Sequence, residues 1–253
     1  MTIDYTADIE EMKEALRLAN PRIAKNSKIV TPDNLGVTSM LHIALNKRIV
    51  LYPAVSKSAG HNEDNTMPRV HVTSNLAGCW FGYASGGILA VTKEVSDKDK
   101  KQPLNKPTVS LYKGGYYIHQ IPFRCGIKPN KDLVYDSDFT DEIWMVTYNA
   151  LTRIFPAEII GLIFPSSIAY LPRTGKLPIE VATLCVKIEK GKKANLSMNN
   201  QYQQPSKKSP EYITEGHWKF DLSDEYGIQN FEKIKEKEFL ELKLRSAGML
   251  SYA

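Results

Sequence analysis

Cysteine is scarce: the 253-residue chain has only Cys79, Cys125 and Cys185, far apart and in no CxxC or Cys/His spacing. An odd, scattered set argues against a disulfide framework and against a zinc site, so no metal is expected. Long apolar runs are also missing. None approaches the roughly 20 residues that a membrane span requires. The first stretch, MTIDYTADIEEMKEALRL, is acidic and lacks the positive-then-apolar order of a signal peptide. These absences predict a soluble protein of a reducing cytoplasm, with no membrane partner.

Charge of one sign is in short supply as well. Thirty-three basic residues face 28 acidic ones, a net +5. The only basic groups are short: Lys98 to Lys101, Lys190 to Lys193, and Lys207-Lys208. A nucleic-acid partner has only these behind it, and solvated loops explain them more simply. Glycine patterns that cradle phosphates are absent. Gly82, Gly86 and Gly87 do not make GxGxxG, and no GxxxxGK occurs.

What is present is ordinary globular composition, 42% hydrophobic and 24% charged, in a chain long enough to bury its own core. The densest stretch is HNEDNTMPRVHVTSNLAGCWFGY, His61 to Tyr83. Its polar start, His61 to Thr66, reads as a surface loop ended by Pro68. Arg69 to Thr73 alternates β-branched and polar residues, which predicts a short strand. Ser74 is a candidate N-cap, with Leu76, Cys79, Trp80 and Tyr83 on one apolar helix face.

Around this stretch, Asp8 and Glu11 suggest a capping box for a helix from about Ile9 to Ala19, with Ile9, Met12 and Leu16 inward. Ser39 to Leu45 reads as a short buried helix. Arg48 to Val55 is β-rich, with Pro53 marking an edge or bend. Tyr116 to Phe123, Glu142 to Tyr148, Ala157 to Phe164 and Leu177 to Glu189 are strand candidates. The polar run Gly191 to Tyr212 reads as a loop or linker. A closing helix is expected near Phe231 to Ser246, begun by Asn230. Together these predict an α+β protein: a helical N-terminal segment (1–47), a β-rich core (48–190), and a polar linker with a C-terminal helix (191–253).

Four segments carry a family resemblance: LYP at Leu51 to Pro53, NEDNTMPRVHVTSNLAGC at Asn62 to Cys79, GYYIHQIPF at Gly115 to Phe123, and TDEIWMVT at Thr140 to Thr147. Their order resembles a group of small phage and bacterial proteins with the pattern LYH…PRVC-S-SI-GC…GEIW. That group is in turn similar to the ADP-ribosyltransferase fold, a split antiparallel β-sandwich that grips NAD between two sheets. The resemblance implies NAD as cofactor and Glu142 as the carboxylate that stabilises the oxocarbenium-like ribose. It implies a tyrosine, Tyr83, Tyr116 or Tyr117, stacked on nicotinamide. Pro53 stands where the pattern has histidine and offers no side-chain donor. Arg69 or His71 is the expected substitute, so His71 joins Glu142 as a candidate catalytic residue and Arg69 joins Tyr83 and Tyr117 as candidate nucleotide contacts. Leu51, Arg69 and Glu142 are expected around one cleft between the sheets.

Each candidate also has a plain reading: Glu142 as a solvated strand-end carboxylate, the tyrosines as cross-strand packing, His71 as a structural histidine. His71-Val72-Thr73 also fits one H-x-T unit of two-histidine phosphoesterases, but His119-Gln120-Ile121 lacks the second hydroxyl. Cys79 falls on an apolar helix face, where inert core cysteines sit. The alternative to an NAD enzyme is a phage-type structural or adaptor protein, in host cytoplasm or virion-associated, whose terminal extensions engage a protein partner.

Overall fold

The computed structural model describes residues 3–55, 64–80, 115–134, 137–147, 154–171, 179–196, 212–223 and 227–249. Its first unit is a helix pair, α1 (Thr6–Leu18) and α2 (Pro21–Lys25). Asn20 stops α1 and caps α2 by accepting a hydrogen bond from the Arg22 N–H, and Pro21 takes the first helical position, where its missing N–H costs nothing. The start of α1 differs from expectation. It begins at Thr6 after Tyr5, and Asp8 accepts from Arg124 Nε at 2.9 Å instead of closing a capping box.

Two antiparallel sheets follow. The smaller is formed by β1 (Ser27–Val30), β6 (Gly126–Pro129), β7 (Ile143–Met145) and β4 (Val70–Val72), in that order. The larger runs β12 (Gly227–Ile234), β11 (Tyr212–Ser223), β10 (Ile179–Asn195), β9 (Glu158–Leu171), β5 (Tyr116–Pro122), β2 (Ser39–Ala44). A two-residue ribbon pairs β3 (Val50–Leu51) with β8 (Phe155–Pro156). The short helices are α3 (Pro32–Leu35), α4 (Leu76–Cys79) and α5 (Ser137–Thr140), and α6 (Glu236–Met249) closes the described chain.

This is a mixed α+β protein dominated by antiparallel sheets, and it redraws three expectations. Ser39 to Ala44 is strand, not helix: it pairs with β5 along its whole length at the edge of the large sheet. β10 runs through Lys190 to Asn195, so the anticipated linker begins inside a strand. β12 takes the first residues of the expected closing helix, which forms from Glu236 to Met249. Both terminal segments therefore supply strands to the sheet system, and the boundaries at 47 and 190 do not separate structural units. Periodicity failed here because long, partly exposed strands carry polar residues that also suit loops.

Among the described residues the core lies in four clusters. Leu41, Ile43, Leu76, Trp80, Tyr116, Ile163 and Phe220 pack on one face of the large sheet. Met40, Leu51, Ile121, Val70, Val72, Ile143 and Met145 fill the space between the sheets. Met12, Ile23, Ile127, Leu133 and Trp144 join α1 and α2 to the other face of the small sheet. Phe164, Cys185, Ile234 and Phe239 seat α6 on the large sheet. Leu41 and Thr73 stitch the two sheets together by exchanging both backbone hydrogen bonds, at 2.7 and 3.0 Å. No helix among the described residues is long and apolar enough to cross a membrane.

Candidate functional site

Strand alternation puts Arg69 and His71 on one face of β4 and Val70 and Val72 on the other. The valines enter the core between the sheets. On β7, Ile143 and Met145 join them there, so Glu142 and Trp144 share the face of Arg69 and His71. In the antiparallel register His71 lies opposite Trp144, which brings Glu142 within diagonal reach of the imidazole.

The contacts form one continuous polar chain. His71 Nδ1 lies 2.6 Å from Glu142 Oε1, and Trp144 Nε1–H donates to the same oxygen at 2.6 Å. Arg69 Nε–H donates to His71 Nε2 at 3.2 Å. The guanidinium also donates to Asp64 Oδ2 (2.7 Å), the Asp64 carbonyl (2.7 Å) and the Met67 carbonyl (3.1 Å), and it lies 4.0 Å from the centre of the Trp144 ring. Because a donor faces Nε2, that nitrogen presents its lone pair. Nδ1 therefore directs its proton at Glu142.

Burial separates the roles. The Arg69 side chain has no exposed surface, Glu142 retains 9% of its own, and His71 keeps 39%. Burial by itself would raise the Glu142 carboxyl, but the hydrogen bonds from His71 and Trp144 and the charge of Arg69 outweigh it and hold it below the usual carboxylate range. Asp64 follows the same pattern. Burial pushes its carboxyl up, and donation from Thr66 and Met67 together with Arg69 brings it below the ordinary value. The result is an anionic, satisfied support from which one half-exposed imidazole emerges.

The support has its own brace. Asp141, at a φ of 53°, bridges Lys128 Nζ (2.5 Å) and the Ser74 hydroxyl (2.8 Å), tying β6 to the end of β4 beside Glu142. Ser74 is thus not the helix cap. Asn75 caps α4, accepting from the Gly78 N–H at 2.8 Å. Gly78 is required there, because a Cβ would stand 2.2 Å from the Thr140 carbonyl oxygen. From behind, His42 Nδ1–H donates to the His71 carbonyl at 2.8 Å, holding β4 to β2.

The structure thus brings Arg69, His71 and Glu142 together and leaves the others apart. Leu51 belongs to the core between the sheets, on the opposite face of β4, so Arg69 and Glu142 lie on the outer face of the small sheet and not around the expected cleft between the sheets. Tyr116 is fully buried and meets Trp80 edge-on. Tyr117 lines a cavity under α6 that shares no lining residue with the polar chain. Tyr83 lies outside the described residues. Arg69 is committed within the protein, so it builds the frame of the site and does not offer itself to a nucleotide. The three thiols are buried, and burial raises the Cys79 thiol to about 12.

Sequence reasoning passed over Asp64 and Trp144. Asp64 was assigned to a surface loop, yet it is buried. Its signal was the Asx-turn spacing to Thr66. For Trp144 the signal was the two-residue spacing in Glu142-Ile143-Trp144, which puts both on one strand face. Among the described residues no group of three or more potential metal ligands occurs.

Chemically, both ring nitrogens of His71 are engaged, Nδ1 by Glu142 and Nε2 by Arg69, so the half-exposed imidazole offers a ligand its ring surface for stacking, and a hydrogen bond to a ligand requires Nε2 to leave Arg69. The arrangement does not suit cleavage of a nicotinamide–ribose bond, which needs a carboxylate at the ribose. Glu142 is nearly closed off, and one of its oxygens already takes two donors. Comparison of the chain with protein-family models, with curated proteins and with solved structures finds no match in any of the three.

Proposed function

We propose that this is a phage-type, ADP-ribosyltransferase-like protein that binds NAD or a related nucleotide at His71, with the transfer chemistry weakened or lost. The observation that carries the reading is the Glu142–His71 contact at 2.6 Å: a buried carboxylate orienting a half-exposed imidazole, next to Arg69. The two antiparallel sheets sharing one core agree with a split sandwich. The degenerate form is favoured over an active transferase because the carboxylate serves the histidine and is withdrawn from solvent.

Calorimetry with NAD tests this, beside an assay for released nicotinamide. Weak binding is expected, about tenfold weaker in His71→Ala, with no nicotinamide released. Release of nicotinamide that Glu142→Gln abolishes would restore the enzyme reading. Absence of heat at millimolar NAD would remove nucleotide binding altogether.

A second reading, a protein-binding adaptor, is favoured by one observation. Leu45, Ile49, Tyr52, Val55 and Ile154 all lie exposed around the β3–β8 ribbon, Ile49 to 76% and Tyr52 to 60%. Large side chains grouped this way are characteristic of contact surfaces.

A further inference from the structure

A cavity lies beneath α6, away from the polar chain. It measures about 280 Å3 and lies between α6 and strands β5, β9, β10 and β11. Its position follows from packing. Phe239 anchors α6 by an edge-on contact with Phe164 at 5.1 Å and a tilted one with His217 at 4.6 Å. Ser246 pins the far end through a hydrogen bond to the Pro165 carbonyl at 2.7 Å. Between these anchors and the loop after β2, the floor is left to Tyr117 and Leu162.

The lining combines an aromatic floor with a basic rim. Lys47, Lys187 and Lys243 all border the cavity, against Glu189 and Glu236. Lys187 is partly neutralised by Glu189 at 3.2 Å. Lys243 has no ion-pair partner among the described residues. His217 adds no charge near neutrality, since burial lowers its pKa, an effect the neighbouring Glu236 only partly offsets. The recess therefore carries one net positive charge. Lys47 Nζ already rests over the Tyr117 ring, 5.3 Å from its centre, so one face of this ring is turned to a cation.

We infer that this cavity binds a small planar anion, one aromatic ring carrying a carboxylate or phosphate group. The ring stacks on Tyr117, and Lys47 moves from the tyrosine face to the anionic group, where Lys243 meets it from the helix. Size sets the limit. Cavities for drug-sized ligands begin at about 300 Å3, so this one has room for a ring and one charged group but not for a dinucleotide. The site is independent of the nucleotide contact proposed at His71.

Calorimetry on the full chain with phenyl phosphate and with benzoate tests the inference, with phenol and inorganic phosphate as half-ligand controls. At least one aromatic anion is expected to bind, with both controls about tenfold weaker or worse. Binding by phenyl phosphate alone or by benzoate alone supports the site and identifies its anionic group. Tyr117→Leu should weaken the bound anion about tenfold, and the surface pair Lys47→Ala/Lys243→Ala should weaken it while leaving phenol unchanged. His71→Ala should leave it unaltered. No heat from either anion with correctly folded protein would overturn the inference. So would phenol binding as well as the anions, or a bound anion insensitive to both the Tyr117 and the lysine variants.

Discussion

Replacing Asp64 by asparagine removes one charge from a pair that is almost wholly out of water, with side-chain exposures of 0% for Arg69 and 7% for Asp64 at 2.7 Å. Asparagine keeps one oxygen for the two Thr66 donors but sets an NH2 group where Oδ2 accepts from the Met67 N–H and Arg69, and it leaves the guanidinium without its carboxylate. A buried ion stripped of its partner costs about 3–5 kcal/mol, most of it the uncompensated charge. Arg69→Met should cost a similar amount for a different reason. It abandons the Trp144 stack, worth about 2 kcal/mol when desolvated, and the His71 bond. Asp64, in contrast, keeps three donors from Thr66 and Met67. The double variant Asp64→Asn/Arg69→Met leaves no unpaired charge, so its loss should fall short of the summed singles by about 2 kcal/mol. Urea denaturation followed by circular dichroism measures all four proteins. If Asp64→Asn costs less than about 1 kcal/mol, the guanidinium has access to water and the buried-frame argument fails.

Three further outcomes follow from the packing. Burial, with smaller contributions from His119 and Arg48, lowers the His42 pKa from 6.5 to about 4 despite its bond to the His71 carbonyl. The fold therefore favours neutral His42, so the stabilisation is complete above about pH 6.5 and declines toward pH 4, by up to about 3 kcal/mol. His42→Gln should flatten that part of a stability-against-pH curve, and an unchanged slope would assign it elsewhere. Gly78→Ala should cost about 2 kcal/mol or more by forcing α4 away from the Thr140 carbonyl, and thermal unfolding reads the loss. Burial raises the thiols of Cys79, Cys125 and Cys185 to about 12, 11 and 11, so labelling by an aromatic disulfide should follow unfolding. Rapid labelling of the native protein would contradict it.

Much of the polar chain was legible in sequence. Alternation in Arg69 to Thr73 put Arg69 and His71 on one face, and the family pattern singled out Glu142. Their convergence needed β4 and β7 to be neighbours in the register His71 to Trp144, which strand periodicity does not encode. Tyr117 was legible as an aromatic of a strand, but which recess it faces depends on where α6 docks.

By itself the sequence determined the α+β class, the absence of an apolar span, the strand carrying His71, and Asn20-Pro21 as the stop between α1 and α2. Each of these rests on local sterics or on side-chain alternation, which neighbours along the chain can dictate. Only the tertiary structure decided that Ser39–Ala44, Tyr212–Ser223 and Gly227–Ile234 are strands, since strand pairing depends on the tertiary neighbours they meet. It likewise decided that Arg69 supports the site while His71 reaches solvent. Two residues on one strand face differ there because Asp64 and Trp144 enclose the first and leave the second half open.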